Sequence, residues 1–243
     1  MAAATMSHES AHDDALDSFL DKWRARWPEW NVAQVFVPHA QRETVLAWAA
    51  LQQELTDAAW GGSDARPGEA KLAWWIEELQ GWSRGGRRHP LGIALQKLGA
   101  PWERLAMAIP SLRDTRERPR DRDEALALLQ PFARAVADVE TALFDGTATE
   151  ATVAAIQSTL LHSHLALGGE GAVPLSALAG AGEGEHARVW GAELLERWPA
   201  SGAANRPRRL WSALARQRLR RGDAALPLPP VAALMTAWRG VRG

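Results

Sequence analysis

Apolar residues recur at intervals of three and four along almost the whole chain, starting at Leu16. No stretch alternates apolar and polar residues as a half-buried strand does. The spacing therefore predicts an all-α protein. Residues 1–15 are polar or small, and we expect them to be disordered. Since no internal repeat is present, we expect residues 16–243 to form a single helical domain.

Prolines and glycines divide this pattern into helices. A first helix is predicted from about Ala15 to Trp27, where Pro28 ends it. A second runs from Pro38 to about Trp60 and stops at two glycines. The other helices are predicted at about 67–82, 90–98, 101–113, 123–144, 149–167, 183–198, 207–221 and 230–242. The densely charged residues 113–124 are predicted to be a linker.

The second and third predicted helices are expected to pack against each other. Trp48 and Leu55 lie on one stripe of the second helix, and Trp75, Ile76 and Leu79 lie at helical spacing on the third. We expect these five side chains to be buried in the core.

Composition narrows the classes of function. The chain has 243 residues, a formal net charge of -1 and no cysteine. This charge argues against wholesale binding to DNA, and the absence of cysteine excludes disulfides and zinc ribbons. No stretch approaches the roughly 20 apolar residues of a membrane span. The N-terminal residues lack the basic and apolar parts of a secretory signal, so we expect a cytoplasmic protein.

One polar helix face carries candidate chemistry. Gln53, Glu54 and Asp57 project together from the second predicted helix. Two carboxylates at this spacing can share a divalent cation, or they can belong to an ordinary solvated face. The histidines are weaker candidates, because His162 and His164 would point about 200° apart on a helix.

Residues 69–98, EAKLAWWIEELQGWSRGGRRHPLGIALQKL, resemble a stretch of the squalene/phytoene synthase family. In that family a helix of the form KLAWWREEL ends in a small basic loop, and an HP dipeptide begins the next helix. Residues 35–62 resemble the FLP segment and the helix with the first aspartate-rich motif. Residues 171–178 resemble the YLP segment that follows the second motif. The resemblance is clearest over residues 35–178.

The resemblance implies an isoprenoid synthase-like helical bundle around a central cavity. In active members, two facing aspartate-rich motifs hold Mg²⁺ against the diphosphates of two prenyl substrates. By this resemblance, Glu54 and Asp57 are remnants of the first motif's catalytic acids, and Asp57 is a candidate metal ligand. Gln53 and Glu170 are candidate ligand-binding residues.

The sequence departs from the family at both motifs. Thr56 and Trp60 stand where the first motif has aspartates, and Glu170 is the only acid in the segment that replaces the second motif. The chain is therefore expected not to catalyse prenyl coupling, and to act without a cofactor as a binding or assembly factor. The alternative is a transferase of isoprenoid biosynthesis that acts on prenyl diphosphates with altered Mg²⁺ ligands. The expected partner is a protein, or a prenyl or lipid ligand.

The C-terminal part is strongly basic. From residue 200 onward nine arginines face a single acid, Asp223. The apolar residues interleaved with them are Leu210, Trp211, Leu214 and Leu219. Such a helix could lie on an anionic membrane, at the inner face of the cell membrane. A solvated helix and, less strongly supported, an RNA-binding helix are the alternatives.

Overall fold

The computed structural model describes the backbone of residues 2–180, 182, 184–200 and 204–242, and side chains from residue 14 onward in these ranges. All regular secondary structure among them is helical, as predicted. The α-helices are α1 (Ala2–Arg26), α2 (Trp30–Ala33), α3 (Arg42–Trp60), α4 (Ala65–Ser83), α5 (Leu91–Leu95), α6 (Trp102–Asp114), α7 (Arg122–Phe144), α8 (Glu150–Gly168), α9 (Leu175–Ala179), α10 (His186–Glu196), α11 (Arg206–Arg220) and α12 (Pro230–Arg242).

Most predicted helices are present, with differences at their ends. Helix α1 begins at Ala2, not near Ala15, and the domain division predicted at residue 15 stays a prediction. The short helices α2 and α9 have four and five residues, too few to show an apolar period. The predicted linker is confined to residues 115–121.

Helices α3 and α4 pack closely because α4 has a glycine where the two backbones meet. Asp64 caps α4 by accepting a hydrogen bond from the backbone N–H of Arg66. A Cβ on Gly68 would lie 2.1 Å from the backbone oxygen of Ala58. Only glycine permits this approach. The crossing buries Trp48, Leu55, Trp75 and Leu79 as predicted, and Ile76 is half-buried.

Glu78 shapes the segment that carries the clearest resemblance. Its buried carboxylate accepts hydrogen bonds from the backbone N–H groups of Arg88 and His89, at 2.6 and 2.8 Å. The indole of Trp82 and the guanidinium of Arg88 donate to it at 2.8 and 3.0 Å. These donors outweigh the effect of burial, which alone would raise the pKa of Glu78, and hold it below its ordinary value. The acid therefore folds the basic loop back onto the end of α4.

The C-terminal helices correct one prediction about the basic region. Leu210, Leu214 and Leu219 are buried in the core, and Trp211 is half-buried. They are therefore not free to lie on a membrane. Helix α12 packs on α11 through buried alanines, and no described helix is long and apolar enough to cross a membrane.

Candidate functional site

A cavity of about 90 Å³ lies between α1, α3, α8 and α11. Tryptophans form much of its apolar wall, and amide, hydroxyl and guanidinium groups form the rest. The side chains that line it include Trp23, Trp27, Gln52, Gln53, Thr56, Thr159, Ser163, Arg208, Trp211 and Arg218. Trp23 and Trp211 meet edge to face, with ring centroids 6.2 Å apart.

Arg208 forms one end of this cavity through a buried network. Its guanidinium makes several hydrogen bonds to the carboxylate of Glu140, among them Nε to Oε1 at 3.1 Å. It also donates to the hydroxyl of Thr159 at 2.8 Å and to the amide oxygen of Gln52 at 2.9 Å. Trp48 donates to the same carboxylate at 3.0 Å. The network joins α3, α7, α8 and α11, so it fixes the position of the cavity wall.

Arg218 makes the corresponding pair with Glu29. Its Nε and Nη2 donate to the two carboxylate oxygens at 2.7 and 2.6 Å, and both side chains are fully buried. The guanidinium lies 4.0 Å from the ring centroid of Trp27. Glu29 also accepts a hydrogen bond from the backbone N–H of Leu228, at 2.7 Å. Arg218 therefore holds α11, and Glu29 the loop that follows it, against the end of α1.

Glu54 is buried and bound by two lysines. The ammonium of Lys22 lies 2.7 Å from Oε1, and that of Lys71 lies 2.5 Å from Oε2. Burial alone would raise the pKa of Glu54, but the hydrogen bonds from these lysines outweigh burial and lower it. Asp57 is bound in the same way, to Arg26 at 2.5 Å and to Lys22 at 3.2 Å. The face of α3 that carries Glu54 and Asp57 is therefore not an ordinary solvated surface.

The residues present do not fit the Mg²⁺ that the resemblance implies. Three cationic side chains already bind the two carboxylates of α3. Glu170 lies elsewhere, in a 3₁₀ turn where it contacts His186 at 3.0 Å with half of its side chain exposed. Among the described residues no group of three His, Asp or Glu side chains could hold a metal ion.

The wall of the cavity opposite α3 carries no carboxylate. Helix α8 contributes Thr159, Leu160, Ser163, Ala166 and Leu167. On the α3 side, the amide oxygen of Gln53 and the amide nitrogen of Gln52 are buried without a hydrogen-bond partner among the described residues. One hydrogen-bond donor and one acceptor are therefore buried without a partner beside the cavity, within the described part of the chain.

Thr56 and Trp60, which the resemblance aligns with aspartates of the first motif, have structural contacts. Thr56 donates its hydroxyl to the backbone oxygen of Gln52 at 2.9 Å. Trp60 donates to the hydroxyl of Thr115 at 2.8 Å and stacks on His164, with ring centroids 4.5 Å apart. Burial lowers the pKa of His164 to about 4. Burial and the nearby charge of Arg218 lower the pKa of His162 to about 3. Both imidazoles are therefore neutral at pH 7.

Sequence reasoning missed the cations of this site. The sequence gives no reason to single out Lys22, Arg26 or Lys71, and it places Arg208 and Arg218 in the basic C-terminal part without indicating that they are buried. One signal was available: the chain has three lysines, and two of them bind Glu54. No comparable signal marks the two buried arginines, because arginine is common throughout the chain.

Comparisons with known proteins support the fold. No family model matches the sequence, and no curated protein matches it significantly. Among solved structures, the squalene synthase HpnC from Alicyclobacillus acidocaldarius is similar, with a TM-score of 0.54 and 17% sequence identity. The match covers 96% of this chain and 92% of that chain. The chain therefore has an all-α fold like that of a squalene synthase.

Proposed function

We propose that this chain is a squalene/phytoene synthase-like protein that does not catalyse prenyl coupling and acts as a binding or assembly factor. The observation that carries the proposal is the binding of Glu54 and Asp57 by Lys22, Arg26 and Lys71. In place of an open acidic site, α3 presents acids whose charge is already more than balanced.

Electrostatics support this proposal. A unit charge pair at about 4 Å is worth on the order of 4 kcal/mol at an effective dielectric of about 20. The lysines are partly exposed, so solvent screening reduces that value. Even so, Mg²⁺ would have to displace them while giving up tightly held water. With no carboxylate on the opposite wall, no second set of acids offsets this loss.

The size of the cavity supports it as well. Pockets that hold small organic ligands span about 300 to 1,000 Å³, and an engineered cavity of about 150 Å³ binds benzene. The cavity here measures about 90 Å³. A prenyl chain needs a larger cavity than this one. The outer surface is therefore the better candidate for binding a partner.

The charge balance at α3 also favours one alternative. Three cations against two acids leave one positive charge in excess beside the cavity. Those cations could bind a diphosphate directly, without Mg²⁺ as a bridge. The alternative function is a transferase of isoprenoid biosynthesis that acts on prenyl diphosphates with altered metal ligands, and these cations favour it because they would hold the diphosphate.

The deciding experiment is incubation of the purified protein with farnesyl diphosphate and Mg²⁺, followed by mass spectrometry of the products. We expect no squalene, phytoene or cyclopropyl diphosphate intermediate above a control without protein. Calorimetric titration with the same diphosphate, with Mg²⁺ and with a chelator, separates binding from turnover. Product formation that Asp57→Ala abolishes would contradict the proposal and support the transferase.

A further inference from the structure

Helix α12 turns an apolar face away from the molecule. The exposed fractions of Val231, Leu234, Met235 and Trp238 are 76%, 40%, 43% and 38%. Their spacing of three and four residues places them on one side of the helix. On the opposite side, Ala233 and Ala237 are fully buried. Helix α12 therefore packs small alanines against the molecule and exposes its larger apolar side chains.

Beside this face lies a groove of about 340 Å³ between α11, α12 and residues 198–200. Arg216, Arg220 and Arg239 line it, together with Thr236. Within the described residues, the arginines of α11 and α12 that form ion pairs are Arg208 and Arg218, so these three have no carboxylate partner there.

The groove lacks the negative charge that its arginines would favour. The Nε of Arg216 is buried without a hydrogen-bond partner in the part of the chain that the structure describes. Burial, and then the charge of Arg220, lower the pKa of Arg216. An anion placed between these guanidinium groups would relieve both effects. Planar guanidinium groups bind phosphate oxygens through paired N–H donors, so phosphate is the anion that suits them best.

The surroundings extend the positive charge to the apolar face. Arg206, Arg220 and Arg221 are exposed, and Arg242 lies 4.1 Å from the ring centroid of Trp238. Asp223 is the only acid after residue 200. A protein partner would have to supply an acidic and an apolar surface together, whereas an anionic phospholipid carries both in one molecule.

We propose that the groove between α11 and α12 is a phosphate site for an anionic phospholipid, and that the outer face of α12 rests on the bilayer. The buried leucines of α11 take no part. This inference does not depend on whether the central cavity is catalytic.

Vesicle flotation tests the proposal with the full chain. We expect recovery with vesicles of phosphatidylglycerol and phosphatidylcholine, and little recovery with phosphatidylcholine alone. Binding should decline as added salt shortens the Debye length from about 10 Å towards about 3 Å. Equal recovery with both kinds of vesicle, or with neither, would overturn the proposal.

Paired variants locate the site. Arg216→Gln with Arg239→Gln should lower vesicle partitioning about thirtyfold, from about 1 kcal/mol for each basic residue near the surface. The matched control, Arg84→Gln with Arg87→Gln, removes the same charge from the exposed loop after α4 and should change partitioning less than about threefold. Equal losses in the two pairs would show a non-specific charge effect and overturn the phosphate site.

Two further measurements distinguish other occupants. Leu234→Gln with Met235→Gln should lower partitioning about tenfold, because it removes apolar contact with the bilayer. A thermal stabilisation by inorganic phosphate that Arg216→Gln abolishes, without vesicle binding, would assign the groove to a soluble phosphate compound. A dimer in sedimentation velocity that the Leu234 and Met235 changes dissociate would assign the face to a second copy. Either result would overturn the lipid proposal.

Discussion

Glu140 and Arg208 show how strongly single residues determine this interior. Both are almost completely buried, and the carboxylate accepts from the guanidinium, from Trp48 and from Asn205. A buried ion pair of this kind is held together because either partner alone would be an unpaired charge in a low dielectric. The pairing therefore specifies which helices meet more than it adds net stability.

Removing one charge of this pair should destabilise the protein markedly. We expect Glu140→Gln to lower the free energy of unfolding by about 3 to 5 kcal/mol, because Arg208 loses its buried counterion. The matched control is Asp138→Asn on the same helix, which breaks a pair with the exposed Arg104 and should change stability by less than about 1 kcal/mol. Urea unfolding measures both. A loss below about 1 kcal/mol for Glu140→Gln would show that the network is dispensable.

At the scale of elements, the contact of α3 with α4 rests on glycine at one position of α4. Gly68 lies against the backbone of Ala58, whereas a Cβ on Gly81 would have only the backbone oxygen of Gly86 nearby, at 3.7 Å. Both glycines are inside α4, where alanine has the higher helix propensity. Alanine substitutions at the two positions therefore distinguish the effect of helix propensity on stability from the effect of packing.

The same substitution should have opposite effects at these two positions. Gly81→Ala should stabilise the protein by about 0.5 to 1 kcal/mol through helix propensity. Gly68→Ala should destabilise it by about 1 to 3 kcal/mol, because the new methyl group forces α3 and α4 apart. Thermal unfolding of both variants is the measurement. A stabilising Gly68→Ala would mean that the two helices are not this close.

The sequence predicted elements well where an apolar period was long. For α4 it gave both bounds within about two residues, whereas α3 begins at Arg42, four residues after the predicted start, because a 3₁₀ turn at His39–Gln41 precedes it. The buried stripe of both helices was predicted, because an apolar stripe also indicates which side of a helix faces the core. For α11 it gave the helix but the wrong surroundings. A periodic face of leucines and arginines does not reveal whether the face meets lipid or other helices, and the buried partners Glu29 and Glu140 are far away in sequence.

For the whole molecule, the resemblance predicted the fold but not the condition of the site. The spacing of Glu54 and Asp57 was visible, yet their occupation by Lys22, Arg26 and Lys71 depends on how α1 and α4 lie against α3. The size of the cavity likewise follows from tryptophans on several helices. Such properties arise from packing between distant segments, and a single sequence does not display them.

Three buried, neutral histidines in different parts of the molecule indicate that the folded protein loses stability at acidic pH. Burial lowers the pKa of His89 to about 4, of His162 to about 3 and of His164 to about 4. Unfolding exposes imidazoles with an ordinary pKa of about 6.5, so the unfolded chain binds more protons below that pH. Their contribution to stability is complete above about pH 6.5 and is lost as the pH falls towards about 4.

Denaturant unfolding across this pH range should show the loss directly. The three histidines should contribute at most about 4 kcal/mol per pH unit to the slope, which corresponds to three protons taken up on unfolding. His162→Leu should reduce this histidine contribution by about one third. The exposed His39, changed in the same way, is the control and should leave the profile as in the parent protein. A stability that stays constant from neutral pH to about 4.5 would contradict this account.

The distance along the chain between Arg218 and Glu29 sets an order of events during synthesis. The two residues are separated by 189 positions, and Glu140 and Arg208 by 68. Ribosomes add about 5 to 20 residues each second, so Glu29 and Glu140 wait for seconds before their arginines emerge. During this interval the nascent chain holds carboxylates that it cannot bury. We therefore expect the bundle to close only after α11 has left the ribosome, and a chain that ends before α11 to be sensitive to proteases.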